Sequence, residues 1–88
     1  MERTVDIINK LGLHARAAAK LVTLASKFTA DVRIRKEGRE VSGKSIMGVL
    51  MLAAARGSQI TLIAEGSDAP QALEELSQLI AERFGEDE

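Results

Sequence analysis

The stretch QITLIAEGSDAPQALEELSQLIAERF, residues 59–84, contains the two clearest secondary-structure patterns of the chain. Over Gln59–Glu65 the apolar residues alternate, which predicts a strand with one buried face: Ile60, Leu62 and Ala64. Beyond it they recur at helical spacing, which predicts a helix with one buried stripe: Leu73, Leu76, Ile80 and Phe84. A strand followed directly by an amphipathic helix indicates a domain in which helices cover a sheet.

Local signals bound this last helix. Asp68 and Gln71 have the spacing of a capping box, in which two side chains satisfy free amides at a helix start. Pro70 is tolerated in a first turn, because its missing N–H would have no partner there. Gly85 is expected to end the helix, and residues 86–88 are expected to form a solvated acidic tail.

The rest of the chain carries further patterns of the same two kinds. In chain order they are a strand over Arg3–Ile8, a helix over Ala15–Phe28, a strand containing Val32 and Ile34, a short strand around Val41, and a short helix that begins at Ile46 and ends at Gly57. The order βαββαβα predicts an α+β open-faced β-sandwich. Its four-stranded sheet is expected to be mainly antiparallel, with three helices on one face and solvent on the other.

Composition excludes several classes of function. The 88 residues suffice for one domain, over residues 1–88, and the net charge of −1 with two Phe as the only aromatic residues disfavours nucleic-acid binding. The chain has no Cys and one His, so it offers no disulfide, thiolate nucleophile or metal centre, and no cofactor is indicated. No signal peptide or membrane span is recognisable, which predicts a cytoplasmic protein without a membrane partner.

The single histidine, His14, lies between the predicted first strand and the predicted first helix, directly before the helix begins. The free amides and the dipole of a helix start favour an anion, and Arg16 offers a planar cationic fork for phosphate oxygens. An imidazole, with an ordinary pKa of about 6.5, is largely neutral and nucleophilic near pH 7. These residues are compatible with a site that holds a phosphoryl group. On their own they fit a surface histidine in a turn, without chemistry, better than such a site, and it is the rest of the chain that favours the phosphoryl site.

The second helix is richer in apolar residues than one face can bury. If Val49 and Leu52 point inward, the remaining large apolar side chains lie near the surface: Ile46, Met47, and Leu50 or Met51. Methionine makes such a surface deformable, which suits docking to more than one partner. The alternative is a helix buried on both sides, under a loop or in a dimer.

Two motifs resemble those of HPr, the histidine-containing phosphocarrier family of the bacterial phosphoenolpyruvate:sugar phosphotransferase system. They are NKLGLHAR at residues 9–16 and KSIMGVL at residues 44–50, and the resemblance extends over essentially the whole chain. It implies an open-faced β-sandwich. It also implies that His14 accepts a phosphoryl group on Nδ1 from phosphorylated enzyme I and passes it to a histidine of enzyme IIA.

The resemblance assigns further roles. Arg16 matches the arginine that steadies the phosphate, and Ser45 matches the serine that a regulatory HPr kinase/phosphorylase targets in some bacteria. The residues expected to contact partners are Ala15, Ile46, Met47, Leu50 and Met51. The protein is expected to be a monomeric carrier with a phosphohistidine intermediate, and to act only with partner enzymes.

The family usually has proline at the position of Ala17, so the stiffness of the His14 loop is in question; alanine, the best helix former, keeps the helix itself. Ser45 is a good N-cap for the helix that begins at Ile46, which by itself explains the residue. The cap and the regulatory site are compatible.

Three other functions compete with the sugar-transport carrier. A carrier of a nitrogen-related regulatory branch would have the same residues. A regulatory module of the same fold that transfers no phosphate would lack the histidine, so His14 argues against it. A small-molecule-binding regulatory domain of βαββαβ type would need a Gly-rich or polar ligand loop, and none is evident.

Overall fold

The computed structural model describes all residues, 1–88, and contains one four-stranded sheet. The strands are β1 (Glu2–Asp6), β2 (Asp31–Lys36), β3 (Arg39–Ser42) and β4 (Gln59–Glu65). They lie in the order β1-β4-β2-β3, and every neighbouring pair is antiparallel. The predicted open-faced sandwich is confirmed.

Three helices pack on one face of the sheet: α1 (Ala15–Ala25), α2 (Ile46–Met51) and α3 (Ala69–Ala81). Alternation along β2 and β4 sends one set of side chains into the core between the layers. This set consists of Val32, Ile34, Ile60, Leu62 and Ala64, each at most 1% exposed. The opposite face is mostly polar, as expected, but it also carries Ile63, which is 8% exposed. On this face Arg33 pairs with Asp31 at 2.9 Å and with Glu40 at 3.0 Å.

The helices end earlier than the sequence predicts. Helix α1 stops at Ala25, and Phe28, only 8% exposed, enters the core from the loop beyond it. Helix α2 stops at Met51 instead of reaching Gly57. The residues after α2 leave the helix because their backbone pairs elsewhere: the Ala54 carbonyl accepts from the Leu13 N–H at 2.9 Å, and the Gly57 N–H donates to the Ile7 carbonyl at 2.8 Å.

The predicted capping box at the start of α3 is wrong. The Asp68 side chain makes no capping hydrogen bond and instead accepts from the N–H groups of Thr29, at 2.9 Å, and Ala30, at 2.8 Å. The Thr29 bond is the main reason that the pKa of Asp68 lies below its ordinary value. Asp68 therefore ties the start of α3 to the loop before β2, an interaction between segments that the local sequence does not reveal.

The end of α3 also differs from the prediction, because the helix stops at Ala81 and not at Gly85. Arg83 and Phe84 have φ angles of 56° and 55°, so the chain reverses there. Phe84 remains in the core, with 1% exposed, although it lies outside the helix. We call residues 83–85 the C-terminal turn; it redirects the last residues toward the start of α1. None of the helices has both the length and the hydrophobicity that a membrane-spanning helix needs.

Candidate functional site

The loop before His14 is fixed by close backbone contacts. Asn9 is fully buried, and its Nδ2 donates to the Gly12 carbonyl at 2.8 Å. Gly12 has a φ of +65°, and a Cβ there would lie 2.5 Å from the Ala54 oxygen, so only glycine fits. Together with the Leu13–Ala54 hydrogen bond, these contacts join the loop to the segment that follows α2.

His14 is the N-cap of α1. Its backbone is extended, with φ −75° and ψ 179°, and its Nδ1 accepts from the Arg16 N–H at 3.3 Å. The imidazole thus occupies the place where a serine or aspartate oxygen usually caps a helix. Because Nδ1 accepts a hydrogen bond, it carries a lone pair and not a proton.

The other ring nitrogen, Nε2, is hydrogen-bonded to the carboxylate of Glu86. The second oxygen of this carboxylate, Oε1, accepts from Asn9 Nδ2 at 3.0 Å. The pKa of Glu86 is lowered, first by the hydrogen bond from His14 and then by the one from Asn9. The two side chains stay partly accessible, at 28% for His14 and 16% for Glu86.

The expectation of a solvated acidic tail is therefore wrong for Glu86. The C-terminal turn brings the tail back across the His14 loop, and two lysines hold it there. Lys20 Nζ donates to the Phe84 carbonyl at 2.6 Å. The backbone N–H of Lys10 donates to the Glu88 main-chain oxygen at 3.0 Å, and its Nζ lies 3.3 Å from Glu88 Oε2. The burial of Phe84 anchors the whole segment.

Arg16 is exposed and lines the same open depression as His14, Lys10 and Glu86. Its guanidinium pairs with no carboxylate of the protein, so it remains free to bind an added anion. Ala15, beside it, is exposed at the first residue of α1. Ala17 is fully buried, so its methyl group packs into the core.

At the start of α2, Ser45 is the N-cap that the sequence predicts. Its Oγ accepts from the Gly48 N–H at 3.1 Å, and the residue is half-buried. Val49 in the helix and Leu52 directly after it point inward, at 0% and 4% exposed, as expected. Three large apolar side chains remain at the surface, and we call them the α2 patch: Ile46 (44% exposed), Met47 (68%) and Met51 (60%). Leu50 is half-buried and packs against the core.

Sequence reasoning missed two residues of the site, Asn9 and Glu86. Asn9 lies inside the motif of residues 9–16, and the sequence signal for its loop contact is weak: a polar residue followed three positions later by a glycine, the residue best able to adopt the positive φ found there. Glu86 gives no local signal, because only the reversal at the C-terminal turn brings it to His14. No group of three or more His, Cys, Asp or Glu side chains could hold a metal ion.

Comparison with known proteins agrees with this geometry. The family model described as "PTS HPr component phosphorylation site" matches residues 1–82. The chain is 54% identical to phosphocarrier protein HPr of Cupriavidus necator over 88 residues, covering 100% of this chain and 99% of that one. It is also 46% identical to phosphocarrier protein NPr of Shewanella violacea, covering 98% of this chain and 94% of that one.

The fold agrees equally well with a solved structure. The crystal structure of HPr-C-His from Thermoanaerobacter tengcongensis superposes with a TM-score of 0.96 at 43% identity, covering 100% of this chain and 99% of that one. Family model, relatives and fold therefore point the same way. The chain belongs to the HPr family of phosphocarrier proteins.

Proposed function

We propose that this chain carries phosphoryl groups in the phosphoenolpyruvate-dependent sugar phosphotransferase system. His14 accepts the group from phosphorylated enzyme I on Nδ1 and passes it to a histidine of enzyme IIA. The observation that supports this most directly is the state of the imidazole: Nδ1 presents its lone pair at the start of α1, while Nε2 is bound to Glu86. Membership of the HPr family supplies the expectation of these partners.

A phosphoryl carrier requires a site that holds the phosphoryl group with only moderate strength. A phosphoryl group on an imidazole nitrogen remains reactive, so a carrier must hold it without trapping it, since only stabilisation that is greater in the transfer state speeds the reaction. Arg16 and the free amides of α1 provide a small number of donors for the phosphate oxygens. The partner enzymes must contribute the remaining transition-state stabilisation, and the chain alone is not an enzyme.

The α2 patch, with Ala15 and Leu50, is the surface that we assign to both partners. Exposed methionine side chains adapt to different apolar surfaces, which a carrier with a donor and an acceptor needs. Helices α1 and α2 contact each other, and the Leu13 N–H, one residue before His14, donates to the Ala54 carbonyl just after α2, so a partner docked on α2 lies near the start of α1. Both partners would then reach His14 from the same side.

Ser45 is the residue that we assign to regulation by an HPr kinase/phosphorylase. Its Oγ lies at the start of α2, beside Ile46 and Met47. A phosphate there would add about −1.5 to −2 charges at a helix start, which the helix tolerates. It would hinder docking, because the added charge loses its water when an apolar surface closes over it.

The test is phosphorylation by enzyme I with labelled phosphoenolpyruvate. One phosphate that is labile in acid and stable in base should appear on the wild type, and His14→Ala should take none. Label that persists in His14→Ala would contradict the assignment. Absence of label from the folded wild type would favour the regulatory module that transfers no phosphate. Transfer onward to the enzyme IIA of a nitrogen-related branch, and not to a sugar-specific one, would identify the second kind of carrier.

A further inference from the structure

We propose that Glu86 is a positioning residue that keeps the proton of His14 on Nε2 and thereby directs the phosphoryl group to Nδ1. The inference rests on the proposed role of His14 as the acceptor and adds a residue from the opposite end of the chain. It follows from the contacts at the two ring nitrogens.

The two contacts allow only one neutral form of the ring. At Nδ1 the partner is the Arg16 N–H, a donor, so this nitrogen must accept. At Nε2 the partner is a carboxylate oxygen, an acceptor, so this nitrogen must carry the hydrogen. Without Glu86 only the Arg16 amide, at 3.3 Å, would distinguish the two forms, and that hydrogen bond is long.

Glu86 also suits the charge that develops during transfer. The Nδ1 lone pair forms the bond to phosphorus while the bond from phosphorus to the donor breaks, and the electron pair of that bond leaves with the donor. No proton leaves the ring, which keeps its hydrogen on Nε2 and becomes positively charged. The Glu86 carboxylate lies at this nitrogen, so its attraction for the ring grows as the new bond forms. The same negative charge repels a phosphate from the Nε2 side.

The carboxylate is itself held in place. Asn9, fully buried, donates to Glu86 Oε1 and to the Gly12 carbonyl with the same amide nitrogen. Lys20 holds the C-terminal turn on one side of Glu86, and Lys10 holds Glu88 on the other. Fixing the chain two residues before and two residues after an orienting group reduces the reorganisation that transfer would otherwise require.

Glu86→Gln keeps the size and place of the side chain but replaces the acceptor that faces His14 Nε2 by a donor. The Asn9 amide is oriented by Gly12, so it continues to donate toward residue 86, and the glutamine oxygen must face it. The glutamine NH₂ then faces Nε2 and favours the form with hydrogen on Nδ1, the wrong nitrogen. Asp87→Asn is the matched control: it removes the same charge one residue away, from an exposed side chain that makes no hydrogen bond or ion pair.

The experiment uses the full chain and needs no partner enzyme. Imidazole ¹⁵N NMR at pH 8.5, well above the ordinary histidine pKa of about 6.5, reports which nitrogen carries the hydrogen. The small donor phosphoramidate reports the rate and the site of phosphorylation; Nδ1 attacks its phosphorus and ammonia leaves. We expect the wild type and Asp87→Asn to carry hydrogen on Nε2 and to be phosphorylated on Nδ1. In Glu86→Gln, hydrogen should shift to Nδ1 and phosphorylation at Nδ1 should slow by about tenfold or more.

The proposal is overturned if Glu86→Gln keeps its hydrogen on Nε2, or if its Nδ1 is phosphorylated as fast as that of Asp87→Asn. A wild type that phosphoramidate modifies on Nδ1 but enzyme I does not modify would contradict the proposed function alone. Circular dichroism of all three proteins excludes loss of the fold as the cause of a slow reaction. The two proposals can therefore fail separately.

Discussion

Helices α1 and α2 both begin with a capping side chain, but the two caps are built differently. Ser45 Oγ accepts from the N–H three residues later at 3.1 Å, the usual geometry of a serine cap. His14 Nδ1 accepts from the N–H two residues later at 3.3 Å, and its ring is held from the other side by Glu86. A longer cap bond is weaker, so the lone pair of Nδ1 can be released for another bond. The ring depends on Glu86, more than on its own helix, for its orientation.

The largest expected effect at the start of α1, beyond loss of His14 itself, comes from Arg16→Ala. A charge-assisted hydrogen bond to phosphate contributes about 1.5–3 kcal/mol, so phosphoryl transfer should slow by about ten- to a hundredfold. The melting temperature should stay near that of the wild type, because the exposed guanidinium pairs with no carboxylate. The rate of transfer from enzyme I tests the first expectation, and thermal melts test the second. A destabilised variant with normal transfer would make Arg16 a structural residue.

At the start of α2 the corresponding change is Met47→Glu. The side chain is 68% exposed, so the fold should persist, while a charge in the α2 patch should weaken binding to both enzyme I and enzyme IIA by about tenfold. Thr23→Glu places the same charge on an exposed position of α1 and should bind normally. Calorimetric titration with each partner measures the effect. Normal binding of Met47→Glu, or its unfolding, would remove the patch from the docking surface.

Ser45 allows capping and docking to be separated. Ser45→Asp keeps an oxygen that can cap α2, so its stability should change little, yet it should raise severalfold the carrier concentration needed for phosphorylation of His14. Ser45→Ala loses the cap at a cost of about 1 kcal/mol and should dock normally. Chemical unfolding and transfer kinetics of both variants make the comparison. Unchanged kinetics in Ser45→Asp would leave Ser45 as a helix cap only.

The smallest effect expected is the acid dependence of stability. The pKa values of Glu86 and Asp68 are lowered in the folded protein, mainly by hydrogen bonds from His14 and from the Thr29 amide respectively. Each carboxylate therefore stabilises the fold above its ordinary pKa, and this contribution is lost as the pH falls through the lowered value. Urea unfolding between pH 7 and pH 3 should show a shallower loss of stability in Glu86→Gln and in Asp68→Asn than in the wild type. If stability fell equally steeply with pH in the variants and in the wild type, the hydrogen bonds of Glu86 and Asp68 would not be the cause of the acid dependence.

The parts of the fold that the sequence predicts are those with a local pattern. Strand β4 has the predicted bounds, Gln59–Glu65, because alternation reports which side chains face the core. The predicted apolar stripe of α3 is buried for the same reason, and the cap of α2 depends on residues three apart. Local sequence patterns do not predict hydrogen bonds between distant segments. Asp68 binds the loop before β2, and Glu86 binds a residue 72 positions away.

The candidate site shows the same division. His14, with Arg16 beside it, was recognisable from a short motif, since a helix start needs only neighbouring residues. Asn9 and Glu86 were not, because their roles depend on the burial of one loop and on the reversal at the C-terminal turn. The lengths of α1 and α2 were overestimated because apolar residues beyond a helix end can also enter the core, as Phe28 does.

The contact of Gly12 and Leu13 with Ala54 has a geometric consequence for an encounter between the carrier and another protein. The backbone of the His14 loop lies directly against the backbone that leaves α2, so the nucleophile and the α2 patch form a single rigid template. The methionine side chains can adopt different rotamers for each partner protein, while the distance from the α2 patch to His14 Nδ1 stays the same. Only the exposed side chains of the α2 patch adapt to a partner. The backbone contacts beneath them set the position of that partner relative to His14.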